Sequence, residues 1–279
     1  MELINKTAIV TGAAGGIGQA IIHKLLEQGA KVLAVDISPQ SLNVYQDFDA
    51  DQLRTFVADV TEYQEVEAIV KHAAEQFGSL DIMINNAGIG APKPLLDHDP
   101  IADFEPISKV NQNGVYYGIL AAGRQFQAQG TPGVILNTSS VYAQMASEMT
   151  FTYNVSKAAV DMMTKCAALE LAPLGIRVCA VAPGRVDTPM LRQYDEIGLW
   201  NHIRKEQMRQ TFTQPEEIAN VVTFLVSGKA NCINGCTVSA SDGFENFKYH
   251  LWDRRARNSE DVSYVITRSY SASRFPTNS

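Results

Sequence analysis

Residues that stabilise small secreted domains or bind metals are few in this sequence of 279 residues, which contains four cysteines and five histidines. The cysteines are Cys166, Cys179, Cys232 and Cys236, and only the last two are close in sequence. No histidine or second cysteine pair lies near them to complete a zinc site. We therefore expect reduced cysteines and no metal site.

Long apolar runs and an excess of positive charge are also absent. No run approaches the roughly 18 residues of a membrane span, and no charged and then apolar leader begins the chain. The formal net charge of −7 disfavours nucleic acid or an anionic membrane as a partner. The composition therefore indicates a cytoplasmic protein that binds neither.

The sequence does contain a regular alternation of short apolar runs and helical patterns. Strands are predicted near 6–11, 31–36, 54–59, 80–85, 133–138, 176–182 and 235–240, with helices between them. This alternation predicts an α/β fold, in which a mostly parallel sheet of about seven strands is covered by helices on both faces. With 46% apolar residues, the chain can bury one sizeable core.

The turn after the first strand is rich in glycine. Gly12, Gly16 and Gly18 lie between the strand that ends at Thr11 and a helical pattern that ends near Gly29. Glycines let the backbone approach a pyrophosphate, and the first N–H groups of the helix carry a partial positive charge. We predict a phosphate cradle here, with an ordinary glycine turn as the alternative.

The second strand ends in an acid, Asp36, which lies 18 residues after Gly18. A carboxylate near this spacing accepts hydrogen bonds from the adenosine ribose and repels a 2′-phosphate. No Arg or Lys lies between residues 12 and 18 to bind such a phosphate. Asp36 therefore favours NAD over NADP, unless it is only a solvent-exposed turn acid.

The third and fourth strands end in polar or small residues at the same predicted sheet edge. Asp59 and Val60 follow the third strand, and Asn86, Ala87 and Gly88 follow the fourth. Ligands bind at the carboxyl ends of parallel strands, so we expect adenine and ribose near the side chains of Asp59 and Asn86. Each of these two residues could instead cap the following helix.

Tyr153 and Lys157 are four residues apart in a helical pattern. Residues at this spacing share a helix face, so the ammonium can lie within a few ångströms of the phenol. A nearby positive charge stabilises a phenolate and lowers the pKa of a tyrosine toward neutrality. The pair predicts general acid–base catalysis, although the same spacing also occurs in solvated surface pairs.

Taken in order, these motifs resemble those of the short-chain dehydrogenase/reductase family. They are Thr11-Gly12-x-x-x-Gly16-Ile17-Gly18, Asn85-Asn86-Ala87-Gly88, Asn111, Ser139-Ser140, Tyr153-x-x-x-Lys157 and Pro183-Gly184-x-Val186-x-Thr188. The resemblance covers residues 5 to about 245. It implies a single Rossmann-type, doubly wound domain and an NAD-dependent oxidoreductase.

The resemblance also implies a catalytic tetrad of Asn111, Ser140, Tyr153 and Lys157. Ser140 lies thirteen residues before Tyr153 and is expected to hold the substrate oxygen, while Tyr153 transfers the proton. Lys157 is expected to lower the pKa of the phenol and to bind the nicotinamide ribose. Asn111 is expected to bend its own helix and to hold a water that links Lys157 to solvent.

Cofactor contacts are implied along the whole groove. Pro183, Gly184, Val186 and Thr188 are expected to lie under the nicotinamide ring, and Ile17 and Gly18 at the pyrophosphate. The full implied set is Gly12, Gly16, Ile17, Gly18, Asp36, Asp59, Val60, Asn86, Ala87, Gly88, Tyr153, Lys157, Pro183, Gly184, Val186 and Thr188.

Departures from the family's usual residues concentrate around the substrate. Tyr142, Gln144 and Met145 follow Ser140, where smaller residues are more usual, and Arg185 follows Pro183-Gly184. We expect Ser140, Tyr142, Gln144 and Tyr153 to line the substrate pocket. Arg185 is expected either to contact an anionic substrate group or to point into solvent at the strand end.

The chain is divided into a catalytic domain, 1–247, and a C-terminal extension, 248–279, that is either partly disordered or docked on a neighbouring subunit. Within the domain, 187–213 lacks a strand pattern and predicts an amphipathic lid over the substrate pocket, with a surface helix pair that does not gate the pocket as the alternative. The predicted helices 103–128 and 152–172 are expected to contact a second subunit in a dimer or tetramer. Apolar and small residues fit either that interface or their own sheet: Val160, Met163, Ala167, Ala168 and Leu171.

The sequence therefore predicts hydride transfer between NAD(H) and a secondary alcohol or ketone, with Tyr153 as acid and base. A reductase that uses NADPH, or one that acts on an acyl-thioester-linked ketone, is the alternative within enzymes. A cofactor-binding scaffold without turnover is the alternative outside them, and the intact tetrad disfavours it.

Overall fold

The computed structural model of the chain describes residues 2–246, except for residue 197 and the side chain of His202. The expectations for the extension 248–279 therefore lie outside the described residues.

Seven strands form one parallel sheet, as predicted. They are Thr7–Thr11 (β1), Lys31–Asp36 (β2), Leu53–Val57 (β3), Ile82–Asn85 (β4), Val134–Thr138 (β5), Arg177–Pro183 (β6) and Thr237–Ala240 (β7). Their order is β3-β2-β1-β4-β5-β6-β7, and every neighbouring pair is parallel. The order reverses direction between β1 and β4, which opens a crevice at the carboxyl ends of these strands.

Within residues 2–246, eight α-helices connect or flank the strands. They are Gly16–Glu27 (α1), Tyr63–Phe77 (α2), Glu105–Ser108 (α3), Gly114–Gln129 (α4), Phe151–Leu171 (α5), Pro189–Glu196 (α6), Trp200–Arg204 (α7) and Pro215–Val226 (α8). Short 3₁₀ turns occupy Ser41–Tyr45, Leu95–Asp97, Val141–Ala143, Ala172–Leu174, Gly228–Ala230 and Phe244–Asn246. None of the helices within the described residues combines the length and apolar character needed to cross a bilayer.

The hydrophobic core lies in two layers, one on each face of the sheet. Ile21 of α1 and Val222 of α8 pack in one layer, and Ile69 of α2, Phe126 of α4 and Val160 of α5 pack in the other. Strands β1, β4 and β6 are buried along their whole length because helices cover both faces. The predicted helix-covered sheet is confirmed.

The expected helix 103–128 differs from the prediction, whereas α5 matches one of the two alternatives left open for it. The expected single helix 103–128 is interrupted, because Pro100–Phe104 and Lys109–Asn113 form π-helical turns on either side of α3. Val160 and Ala168 are buried against their own sheet, and Met163 packs beside them. The outward apolar residues of α5 are instead Met162 and Leu169, which are 57% and 79% exposed.

The segment 187–213, for which a lid is predicted, is a helical excursion with a small core of its own; a lid role stays a prediction. It leaves β6 and returns where Val186 pairs with Thr213, and α6 and α7 lie between these points. Leu191, Ile203 and Phe212 form its buried cluster. Apolar side chains of the excursion thus pack against one another.

Candidate active site

A cavity of about 500 Å³ lies at the carboxyl edge of the sheet, where β1 and β4 diverge. All sixteen residues expected to contact a cofactor line it, from Gly12 and Asp36 at one end to Tyr153 and Lys157 at the other. Of the other predicted site residues, Ser140 and Tyr142 line the cavity, whereas Asn111 and Gln144 do not. The strand ends therefore assemble one continuous groove from segments far apart in sequence.

The glycine turn forms a cradle that side chains would fill. Gly12 has φ of +63°, and a Cβ there would lie 2.8 Å from Cα of Ala87. A Cβ on Gly18 would lie 2.2 Å from the backbone oxygen of Gly12. The next helix, α1, begins after Gly15, no side chain caps it, and its first turn holds no acid. Its N–H groups are therefore available to an anionic pyrophosphate.

Asp36 lies at the far end of the cavity, at the end of β2. Its carboxylate oxygens accept hydrogen bonds from the backbone N–H groups of Ala14, at 3.0 Å, and Ser38, at 3.3 Å. These bonds hold the carboxylate beside the glycine turn. The acid is therefore positioned to meet a ribose, and a phosphate in its place would face a fixed negative charge.

Asn86 and Asp59 line the cavity, and neither is the N-cap of a helix. Asn86 donates from Nδ2 to the backbone oxygens of Thr11, at 3.0 Å, and Gly12, at 3.2 Å, and its Oδ1 accepts from Thr138 at 3.3 Å. Asp59 accepts from the N–H of Thr61 at 2.8 Å, in the turn before α2. The capping alternative is wrong for both: Asn86 joins three strand ends and Asp59 fixes a turn.

Tyr153 and Lys157 lie on the face of α5 that borders the cavity. Nζ of Lys157 is 5.6 Å from the centroid of the Tyr153 ring and donates to the backbone oxygen of Thr138 at 2.8 Å. Lys157 is buried, and burial lowers its pKa to about 8, with the negative charge of Asp161 acting in the opposite direction. The ammonium is thus held at the phenol side of the helix, as the spacing predicted.

Burial is the largest influence on the pKa of the Tyr153 phenol in this structure. Desolvation raises the pKa of Tyr153 above its usual value, and the Ser140 hydroxyl and the Arg185 charge oppose that rise. The sequence-based expectation that Lys157 lowers the pKa of this phenol stays a prediction.

Two adjacent serines follow β5, and both border the cavity. Ser140 lies in extended backbone beside the phenol of Tyr153, with φ of −164° and ψ of 156°, and its Oγ accepts from the N–H of Tyr142 at 3.2 Å. Ser139 donates to Oδ1 of Asp161 at 2.6 Å. The choice of Ser140 over Ser139 as the residue that faces Tyr153 agrees with this geometry.

Asp161 is a buried acid that the sequence analysis did not identify. It accepts from Ser139, from Thr237 at 2.9 Å and from Gln144 at 3.3 Å. No Lys or Arg among the described residues lies within salt-bridge distance of Asp161. Its negative charge raises the pKa of Lys157, which lies one helical turn earlier. The spacing could have indicated Asp161, because residues 153, 157 and 161 share one helix face.

Asn111 lies in the second π-helical turn, directly behind the cavity. Its side chain accepts from the N–H of Ile89 at 2.8 Å and donates to the backbone oxygen of Ile89 at 2.9 Å and to Oγ of Ser156 at 3.0 Å. Asn111 thus fastens the segment after β4 to α5. The predicted distortion of its helix is present, in a conformation that is frequent at functional sites.

The segment after β6 closes the nicotinamide end of the cavity. A Cβ on Gly184 would lie 2.8 Å from Oε1 of Gln207, so only glycine fits. Cγ2 of Thr188 lies 3.1 Å from the place where a Cβ of Gly16 would be. Thr188 therefore faces the phosphate cradle across the groove, where the resemblance places it.

The substrate end is walled by aromatic rings. The ring of Tyr142 packs edge-on against that of Tyr153, with centroids 6.3 Å apart. Tyr194 of α6 also lines the cavity, a contribution that the sequence analysis missed because the lid pattern gave no orientation. Gln144 is exposed and directs its amide to Asp161. This position corrects its assignment to the substrate pocket.

Arg185 is buried at the same end, which excludes the solvent-facing alternative. Its side chain is 6% exposed and forms an ion pair with Glu206, with Nη2 2.8 Å from Oε2. The guanidinium also contacts three aromatic rings, those of Tyr142, Tyr194 and Phe244. The charge of Arg185 is therefore compensated within the chain.

Comparisons with known proteins agree with this geometry. The family model described as enoyl-(acyl carrier protein) reductase matches residues 12–245. The chain is 36% identical over 254 residues to 3beta-hydroxysteroid dehydrogenase 2 of Eggerthella lenta, with 88% of this chain and 96% of the relative covered. It is 34% identical over 254 residues to a diacetyl reductase, (S)-acetoin forming, of Staphylococcus epidermidis, with 86% and 98% covered.

Among solved structures, a 3-ketoacyl-(acyl-carrier-protein) reductase from Brucella melitensis complexed with NADH is similar to this chain. The TM-score is 0.81 at 32% identity, with 87% of this chain and 99% of that chain covered.

Proposed function

Because the chain belongs to the short-chain dehydrogenase/reductase family, we propose that it transfers a hydride between NAD(H) and a secondary alcohol or ketone, with Tyr153 as acid and base. Membership rests on the family match over residues 12–245 and on the similar dehydrogenases and reductases. The protein is thus an oxidoreductase of alcohols and ketones. The observation that carries the proposed mechanism is that Ser140, Tyr153 and Lys157 meet at the end of a groove that begins at a glycine cradle.

Each residue at this end has a distinct task. When bound, the nicotinamide ring supplies or accepts the hydride, which side chains cannot do. The Ser140 hydroxyl holds the substrate oxygen and stabilises the negative charge that develops on it. The Tyr153 phenol donates its proton to that oxygen in reduction and takes the proton back in oxidation. Since burial keeps the pKa of Tyr153 high, the phenol is ready for reduction at neutral pH.

Lys157 and Asn111 support the proton transfer. The positive charge of Lys157 stabilises the phenolate that remains after the proton has left Tyr153. Asn111 holds the segment around Ile89 in place, and a water beside it would link Lys157 to solvent as a proton path. Both residues are buried, Lys157 at the wall of the cavity and Asn111 behind it, where a charge and its partners are weakly screened.

We further propose NAD as the preferred cofactor, because Asp36 is fixed by two backbone N–H groups at the adenosine end. NADPH use and an acyl-thioester-linked ketone remain the alternatives. A cytoplasmic site of action and assembly into a dimer or tetramer stay predictions.

The test is a screen of secondary alcohols, sugars, hydroxysteroids and hydroxyacyl thioesters with NAD, and of the matching ketones with NADH. Tyr153→Phe should reduce kcat by more than about tenfold, since general acid–base groups contribute about 10²–10⁴-fold, while NAD binding measured by calorimetry is largely kept. Tyr116→Phe is the matched control, because Tyr116 is 50% exposed on α4. Full activity of Tyr153→Phe would contradict the assigned role, and an absence of turnover with every substrate would favour the scaffold.

A further inference from the structure

The ion pair of Arg185 and Glu206 joins the catalytic strand end to the lid. Nε and Nη2 of Arg185 lie 2.9 and 2.8 Å from the same oxygen, Oε2 of Glu206. This edge of a guanidinium is the one that binds carboxylates in protein–ligand recognition. A carboxylate that belongs to the chain itself therefore occupies it.

The neighbouring residue fixes Glu206 in place. Oε1 of Gln207 accepts from the backbone N–H of Arg185 at 2.7 Å, and Nε2 of Gln207 donates to the backbone oxygen of Thr211 at 2.7 Å. The N–H of Met208 donates to the backbone oxygen of Asp242 at 3.0 Å. The segment that carries Glu206 is thus tied to the ends of β6 and β7 rather than free to move away.

Aromatic rings cover the rest of the guanidinium. The Cζ atom of Arg185 lies 5.3 Å from the ring centroid of Tyr142, 5.0 Å from that of Tyr194 and 5.3 Å from that of Phe244. Such contacts with ring faces stabilise a cation that has lost its water. Arg185 therefore holds Tyr142 and Tyr194 as walls of the substrate cavity.

We propose that Glu206 fills the anion site of Arg185, and that the pocket in consequence selects uncharged alcohols and ketones with an apolar body. This inference rests on the proposed function and specifies its substrate class. It replaces the sequence-based expectation that Arg185 contacts an anionic substrate. A carboxylate on the substrate would have to displace Glu206 or lie unpaired near its negative charge, whereas a neutral ring can pack on the aromatic walls, Tyr142 and Tyr194.

The experiment compares cyclohexanol with 4-hydroxycyclohexanecarboxylate, two probes that differ in one carboxylate. Calorimetry gives their Kd values for the NAD-saturated enzyme, and NADH absorbance gives kcat/KM. The wild type should bind cyclohexanol more tightly than 4-hydroxycyclohexanecarboxylate. Glu206→Gln keeps the shape of the side chain and removes its charge, so it should shift the Kd ratio toward the carboxylate at least about tenfold, the effect of one newly available charge-assisted contact.

Two further variants test the assignment. Glu196→Gln removes a lid charge that forms no ion pair with the described residues, and it should leave the ratio unchanged. Adding Arg185→Met to Glu206→Gln should abolish the gain for the carboxylate, because the guanidinium is then missing. If wild type favours the carboxylate, if Glu206→Gln leaves the ratio unchanged, or if neither probe binds any variant, the inference is refuted. If the Kd values follow this pattern but no NADH forms, the proposed reaction is contradicted and the inference about Glu206 is not.

Discussion

Gly90 should tolerate no side chain, because it lies against the catalytic tyrosine. A Cβ at this position would be 2.8 Å from Cδ2 of Tyr153, 3.4 Å from Cε2 and 3.5 Å from Cγ. Carbon atoms normally approach no closer than about 3.5 Å, so the ring or the backbone has to retreat by about 0.7 Å. The ring of Tyr142 packs against Tyr153 and limits that movement.

We expect Gly90→Ala to reduce kcat by about 100-fold, since a misplacement of about 1 Å of a catalytic group has this cost. Cofactor affinity should change by less than about threefold, or about 0.7 kcal/mol, because the glycine cradle and Asp36 lie at the other end of the cavity. The loss should appear in kcat with any substrate found in the screen.

Gly228→Ala is the matched control, because a Cβ there would meet no described atom within 4 Å. Both variants lose a glycine, so both gain a similar small stability from the unfolded state, about 0.4–1 kcal/mol. Thermal unfolding of both checks that the fold is kept. If Gly90→Ala retained more than about a third of the wild-type kcat, a cost below about 0.7 kcal/mol, the close packing of Gly90 on Tyr153 would not control the reaction.

Two other predictions concern the ends of the cavity. The kcat/KM of the wild type should be at least about tenfold higher with NAD than with NADP, since a fixed carboxylate beside a 2′-phosphate costs upward of about 1.4 kcal/mol. Asp36→Ala should reduce this ratio. Equal kcat/KM values of the wild type with both cofactors would contradict the role of Asp36. Asp161→Asn removes a negative charge that raises the pKa of Lys157, so this pKa should fall below about 8. The decline of kcat at alkaline pH should therefore begin at a lower pH than in the wild type. Ser139→Ala removes a donor to Asp161 but keeps the charge, and it should leave that decline in place; the same shift in both variants would mean that the effect is structural.

The sheet and the cofactor end of the cavity were predictable because their signals are local. Apolar runs fix the buried strands, and a strand end fixes which residue borders the crevice, as with Asp36. Each of these features depends on residues within a few positions of one another. The sequence therefore carries them without knowledge of the tertiary contacts.

The parts that were missed depend on partners distant in sequence. The distortion expected at Asn111 is present, but the hydrogen bonds of Asn111 to Ile89 and Ser156 were not predicted. Gln144 follows Ser140 closely, yet its amide turns to Asp161, a buried acceptor on α5. Periodicity and spacing give neither the existence nor the direction of such contacts.

Arg185 shows the same limit at the substrate end. Its ion-pair partner, Glu206, follows 21 residues later, and the ring of Phe244 comes from beyond β7. The sequence placed Arg185 at a strand end, where a side chain can turn either toward solvent or inward. Only the packing of the lid decides between these directions.

Three consecutive hydroxyl residues, Thr138, Ser139 and Ser140, end β5 and begin the segment after it. Ser139 donates to Asp161 and Ser140 lies beside Tyr153, so adding or removing one upstream residue would place a different side chain at each of these two positions. An insertion would bring Thr138 and Ser139 to these two positions and keep a hydroxyl at each. A deletion would bring Val141 to the position of Ser140 and leave Tyr153 without its hydroxyl partner. The run of three hydroxyl residues thus buffers this edge of the site against lengthening, but not against shortening.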